Sequence, residues 1–162
     1  MFSDPVVGEK FFGRGETLDL LTRRAQGLKE GFRQNIAVIG PRLIGKSSLL
    51  LQFLSNFSHP QVVPIYIDLR LNSLSHFIQK FIGTLLYHYL KAKNIKSDEQ
   101  IESLKNQAQA TIPQTVETIR RIEKYMQNLQ FALAYETALQ LTAVLKKESA
   151  FNCMLILDEF HL

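Results

Sequence analysis

Residues 40–47 read GPRLIGKS and fit the pattern G-x-x-x-x-G-K-[ST]. No other stretch limits so strongly what the chain can fold into. A loop of this pattern wraps backbone N–H groups around the α and β phosphates of a nucleotide, sends its lysine to the β and γ phosphates, and offers its hydroxyl to Mg²⁺. The expected ligand is a nucleoside triphosphate, held by Gly40, Pro41, Arg42, Leu43, Ile44, Gly45, Lys46, Ser47 and Ser48. The competing reading is a plain strand-to-helix turn that contains two glycines and a lysine.

The flanking residues separate the two readings. Residues 34–39 (QNIAVI) are a short apolar, β-branched run of the kind expected for a buried parallel strand. Residues 46–57 (KSSLLLQFLSNF) have apolar side chains at helical spacing, with Leu50, Phe53, Leu54 and Phe57 able to share a face. Strand, glycine loop and helix therefore follow in the required order, and the helix N-terminus adds partial positive charge to the phosphate site.

A second signal lies in residues 153–162, CMLILDEFHL. Residues 154–157 form a fully apolar strand, of the type buried on both faces of a parallel sheet. Asp158 and Glu159 follow directly, at the strand end where open α/β sheets bind their ligands. Adjacent side chains point in different directions there, so the two acids can take different tasks. Asp158 is expected to hold Mg²⁺ through water, since that ion keeps several waters and accepts one or two carboxylates. Glu159 is expected to orient and deprotonate the attacking water. An ordinary acidic turn closing a strand is the alternative.

Together, GPRLIGKSSLL and LILDEFHL resemble the AAA+ ATPases, and within them the archaeal-type ATPases and the signal-transducing STAND NTPases. Pro41 and Arg42 in the loop and the DEF of residues 158–160 carry the likeness. Residues 11–18 (FFGRGETL) resemble the amino-terminal F-x-G-R-E-x-E-L box of that family, which lies by the nucleotide. The likeness makes Phe12, Gly13 and Arg14 candidate nucleotide contacts, although Gly15 and Thr17 stand where the family usually has Glu. For Arg14 a solvent-facing place ahead of the first helix is equally open.

The resemblance implies an α/β P-loop NTPase fold, a three-layer sandwich around a parallel sheet, with ATP and Mg²⁺ as cofactors. Residues 1–33 would form the amino-terminal box and helix, and residues 34–162 the nucleotide-binding core. A complete sheet of the family has five strands, one of them lying between the loop strand and the Asp158 strand but following both in sequence. The chain is therefore expected to be a partial module, incomplete at its C-terminal end and lacking the sensor strand, the last strand and the helical lid. Either the sheet closes by pairing the two remaining strands directly, or a protein partner or separate C-terminal segment supplies the missing part. A homo-oligomer is compatible with both.

Composition excludes several classes. The chain has 162 residues, 46% of them hydrophobic, enough for one domain with a real core. Nineteen basic against fifteen acidic residues give +4, too mild to argue for nucleic acid by charge. The basic pairs Arg23–Arg24, Arg120–Arg121 and Lys146–Lys147 read as solvated helix faces. Cys153 is the single cysteine and sits in an apolar strand, so it reads as core, and a reducing, cytoplasmic compartment is expected. Residues 1–10 show no signal-peptide pattern, and residues 74–90 are interrupted by Gln79, Lys80 and His88, which argues against a membrane span. In that stretch Leu74, Phe77, Ile78, Phe81, Ile82, Leu85 and Tyr89 recur at helical spacing, and His76 and His88 have no partners at metal-ligand spacing.

Elsewhere the pattern predicts a helix over 16–29, a strand over 61–69, helices from about 98 and from Pro113, and two helices within 114–148 broken near Asn128. Asp68 ends the predicted strand, either reaching the nucleotide side or serving as an ordinary strand-end residue. Three functions fit. The first is an ATPase, with Lys46 on the phosphates, Ser47 and Asp158 on Mg²⁺ and Glu159 as base, whose hydrolysis drives conformational work on a protein or DNA partner. The second is a nucleotide-dependent switch with little hydrolysis, and the third a small-molecule P-loop kinase, against which Glu159 counts because a kinase needs no acid there to activate water.

Overall fold

The computed structural model describes residues 4–32, 35–70 and 73–160. They fall into two compact units, Met1–Pro60 and Gln61–Leu162.

In the first unit, a single 3₁₀ turn at Gly8–Lys10 precedes helix α1 (Gly15–Gly27), and helix α2 (Lys46–Asn56) follows the glycine loop. Leu21 and Ala25, one turn apart, are the buried residues of α1. Leu49 and Phe53 do the same for α2: of the face Leu50, Phe53, Leu54 and Phe57 that spacing suggested, Phe53 is buried and the other three are partly buried, with Leu49 completing the inner face. The chain before α1 is strapped to α2: Val6 N donates to Ser48 Oγ at 2.9 Å and Gly8 N to Gln52 Oε1 at 2.6 Å.

The strand expected over 34–39 is not formed. Gln34 lies outside the described residues, and residues 35–39 adopt no regular structure. Ile36 is 46% and Ile39 91% exposed. The run has the β-branched composition of a strand, but a strand is stabilised by a ladder partner and by side chains packed on both faces, and residues 35–39 have neither. With no strand there, the sheet does not close by the direct pairing that was one of the two expected outcomes.

The second unit is built on a parallel pair, strand β1 (Val62–Asp68) and strand β2 (Asn152–Asp158), in register from Val62 opposite Asn152 to Asp68 opposite Asp158. Parallel neighbours need a long crossover. Here it carries four helices: α3 (Leu74–Ala92), α4 (Ile101–Ala108), α5 (Pro113–Gln127) and α6 (Phe131–Ser149). Val63, Ile65 and Ile67 alternate along one face of β1, are wholly buried, and join the stripe Ile78, Phe81, Leu85 and Tyr89 of α3 in one core with side chains from α4, α5 and α6. Tyr89 meets Phe151 edge to face at 5.4 Å. Helices thus cover one face of this sheet, which accounts for two of the three layers expected.

Local chemistry sets the helix ends. Ser73 Oγ accepts from His76 N at 3.2 Å and caps α3. Asp98 closes an Asx turn on Gln100 N at 3.1 Å, which delays α4 to Ile101 from the start near 98 that the pattern suggested. Pro113 opens α5, where its missing N–H costs nothing. Leu129, at φ 58°, turns the chain between α5 and α6 at the predicted break. Inside this helical layer Lys105, only 5% exposed, bonds Glu123 at 2.8 and 2.9 Å and Glu102 at 2.5 Å. Burial pulls its ammonium pKa down, and the two carboxylates outweigh that and leave it raised.

The N-terminus of α5 is held by a carboxylate from the far end of α6. Glu148 accepts from Gln114 N at 2.7 Å, Thr115 N at 2.8 Å and Thr115 Oγ1 at 2.7 Å. One carboxylate therefore satisfies two orphan amides and opposes the helix dipole. Glu148→Gln, which keeps the shape but loses the charge and one acceptor, is expected to cost about 1–2 kcal/mol. A urea melt checks this, and an unchanged midpoint would remove the cap from the account of stability.

Candidate functional site

The glycine loop and helix α2 form the first element. Gly45 precedes α2 at φ 87°, a conformation that excludes ordinary side chains, and Leu43 also lies in the left-handed region at φ 62°. No side chain caps α2 and no acid stands in its first turn. Leu49 N donates to Gly45 O at 3.0 Å, the first bond of the helical ladder, so the amides of Lys46, Ser47 and Ser48 have no acceptor within the helix. The positive end of α2 is thereby left to an anion.

Lys46 Nζ curls back over the loop and donates to Gly40 O at 3.0 Å and Pro41 O at 2.9 Å. Both acceptors are neutral, and Lys46 makes no ion pair among the described residues, so its charge stays undischarged. Arg14, at φ 60° just before α1, donates through Nη1 to Gly45 O at 3.4 Å and through Nη2 to Ile44 O. Arg14 is exposed ahead of the first helix, as one of its two readings had it, and its guanidinium braces the loop by the carbonyls of Ile44 and Gly45. Gly13 supplies the turn at φ 76°, and Phe12 is 85% exposed. Leu43 and Ile44 are exposed at the loop tip along with Pro41 and Arg42. Ser47 is partly exposed, and Ser48 is partly exposed with its hydroxyl occupied by Val6 N.

The second element is the C-terminal end of the β1–β2 pair. Asp158 is 6% exposed. Its Oδ2 accepts from Tyr66 Oη at 2.6 Å and its Oδ1 from Glu159 N at 2.9 Å. Among the described residues Asp158 has no salt bridge. Burial, then the bond to Asp158, drive the Tyr66 phenol pKa well above its ordinary value, so the hydroxyl remains a donor. Glu159 follows at φ 53°, left-handed for a residue with a full side chain. Such a conformation costs on the order of 1–3 kcal/mol and persists where the surroundings impose it. Asp68, across the ladder, is gripped by the guanidinium of Arg70, whose Nε lies 2.9 Å from Oδ2, and this holds its carboxyl below the usual range.

Tyr66 and Arg70 were not singled out by sequence reasoning. For Tyr66 the signal is the register: it pairs with Ile156, one step from the Asp68–Asp158 pair on the same face, which the sequence does not encode locally, whereas Arg70 reaches Asp68 from two residues along the chain. Cys153 packs against the core, and burial pushes its thiol up to about 12, so it is inert at neutral pH. His76 is exposed and His88 partly buried, which lowers its pKa. The basic pairs Arg23–Arg24, Arg120–Arg121 and Lys146–Lys147 all stand exposed. Among the described residues no group of three or more His, Cys, Asp and Glu could hold a metal ion, and no helix is long and apolar enough to cross a membrane.

These elements have the chemistry of nucleotide binding. An uncapped helix end, a glycine-dependent turn and a lysine bound only to carbonyls suit phosphate oxygens. One buried carboxylate, with a hydrogen bond on each oxygen and no salt bridge among the described residues, suits Mg²⁺, which takes few protein ligands and keeps its waters. The class defined is a phosphate-binding α/β protein of the P-loop kind. A family model described as AAA ATPase domain matches residues 10–162, and the chain belongs to that family. No curated protein and no solved structure matches it. Membership carries the P-loop NTPase fold and a nucleotide-binding ATPase function.

Proposed function

We propose that this chain binds ATP with Mg²⁺ and hydrolyses it, using the turnover to change the conformation of a protein or DNA partner, in the manner of the archaeal-type and STAND branches of its family. The observation that carries the reading is the Asp158–Glu159 step: a buried carboxylate with no salt bridge among the described residues, immediately followed by a second carboxylate in a strained left-handed conformation. A strand end that only turned the chain would gain from relieving that strain with glycine or asparagine.

The roles follow from chemistry. Backbone amides of the loop and of the first turn of α2 bind the α and β phosphates, and Lys46 leaves Gly40 O and Pro41 O for the β and γ phosphates. Ser47 and Asp158 hold Mg²⁺, which neutralises charge on the phosphate oxygens when bound. Glu159 accepts a proton from the attacking water. Arg14 keeps the loop open by its grip on the carbonyls of Ile44 and Gly45. Phe12 and Gly13 complete the amino-terminal side, and a cytoplasmic setting suits the unmodified thiol of Cys153.

Calorimetric titration of the chain with ATP in Mg²⁺ tests this. One-to-one binding in the micromolar range is expected, and a chain shown by circular dichroism to be folded that gives no binding overturns the proposal.

A further inference from the structure

We infer that Tyr66 is the positioning residue of the Asp158 carboxylate: its hydroxyl fixes the orientation in which Asp158 meets Mg²⁺, and so sets how far Mg²⁺ strengthens ATP binding. This rests on the ATP·Mg²⁺ reading above and goes beyond it by assigning a role to a residue that never touches nucleotide or metal.

The parallel register makes the contact. Tyr66 is opposite Ile156, and Asp68 opposite Asp158, so Tyr66 and Asp158 lie one step apart diagonally on the same face. The bond at 2.6 Å joins residues 92 apart in sequence. A register slip of one residue would turn the phenol toward the core and lift Val63, Ile65 and Ile67 out of it, so the packing of these three fixes the register that delivers Tyr66 to Asp158.

A carboxylate has two oxygens and about four acceptor directions. Here Oδ2 receives the phenol and Oδ1 the amide of Glu159, so each oxygen is anchored by one donor and keeps one direction for a metal-bound water. Rotation about the Cβ–Cγ bond of Asp158 would break both bonds together. The amide moves with the backbone of Asp158 itself, so Tyr66 is the anchor that comes from elsewhere in the sheet. Groups that orient a metal-binding carboxylate in this way typically affect metal affinity by about 10–100-fold. For a carboxylate acting through water the lower end applies.

The experiment is calorimetric titration of the full chain with ATP, in Mg²⁺ and separately in EDTA, for wild type, Tyr66→Phe, Asp158→Asn and the double variant. The ratio of the two dissociation constants is the benefit from Mg²⁺. Tyr66→Phe keeps the ring and removes only the hydroxyl, and circular dichroism tracks the fold. Expected are a benefit reduced about 10-fold in Tyr66→Phe, unchanged affinity in EDTA, and no further loss when Tyr66→Phe is added to Asp158→Asn. An unchanged benefit, or equal losses with and without Mg²⁺, would show that Tyr66 only packs, and overturns the inference. A wild-type chain that binds ATP without any benefit from Mg²⁺ overturns the role of Asp158 first, and that of Tyr66 with it. If Tyr66→Phe proves unstable, Tyr66→His, which retains a donor on a ring, must keep more of the benefit than Tyr66→Leu.

Discussion

Lys46→Ala is expected to weaken ATP binding roughly a hundred-fold while leaving the chain folded. In the structure the ammonium rests on Gly40 O and Pro41 O at 3.0 and 2.9 Å, two neutral acceptors that water can replace at little cost. Against phosphate it would form a charge-assisted bond, worth about 1.5–3 kcal/mol net, and add attraction to a multiply charged anion. At about 1.4 kcal/mol per tenfold, 3 kcal/mol is roughly a hundred-fold in affinity. Stability should hardly move, since alanine is the best helix former and position 46 begins α2 outside the core. Calorimetry beside a thermal melt makes the comparison. A variant that binds ATP as tightly as wild type would move the phosphate site away from this loop.

Glu159→Gln is expected to leave ATP binding intact and to lower turnover by about 10²–10⁴-fold, the usual contribution of a positioned general base. Glutamine has the same length and branching, so the backbone at φ 53° is strained equally in both proteins. The amide can still orient a water, but it cannot take its proton. Asp158 should keep its orientation, because the bond to its Oδ1 comes from the main-chain N–H of residue 159 and survives the substitution. Single-turnover phosphate release on a preformed ATP complex separates chemistry from binding. Turnover unchanged in Glu159→Gln would exclude the residue as base, and would favour another acid or a switch that hydrolyses ATP rarely.

Much of the fold was legible locally. The glycine loop, the start of α2, the apolar stripe of α3, the proline-opened α5 and the break near Asn128 all depend on neighbours within a few residues, and the structure has them where spacing placed them. The apolar run ahead of Asp158 is likewise strand β2, but it is not buried on both faces as its composition suggested: Leu155 is exposed and Met154, Ile156 and Leu157 are only partly buried, because helices cover one face alone. Residues 35–39 show where such reading stops. Their composition is that of a strand, yet propensity is a weak local preference, whereas a ladder needs a second strand brought alongside by the rest of the chain.

The sequence by itself determined the chemistry on offer: a phosphate-binding loop, a lysine, a hydroxyl and two adjacent acids, each recognisable from residue types at fixed short spacing. Only the tertiary structure decided which groups hold these in place. Tyr66 reaches Asp158 across 92 residues, Glu148 caps α5 from 34 residues downstream, and Arg14 braces Ile44 and Gly45 from about 30 upstream. Each contact is one hydrogen bond or a small set of them, too weak to leave a periodic mark on the sequence. They form because packing apolar faces sets strand register and helix placement first, and polar groups then pair with whatever that packing brings within 3 Å.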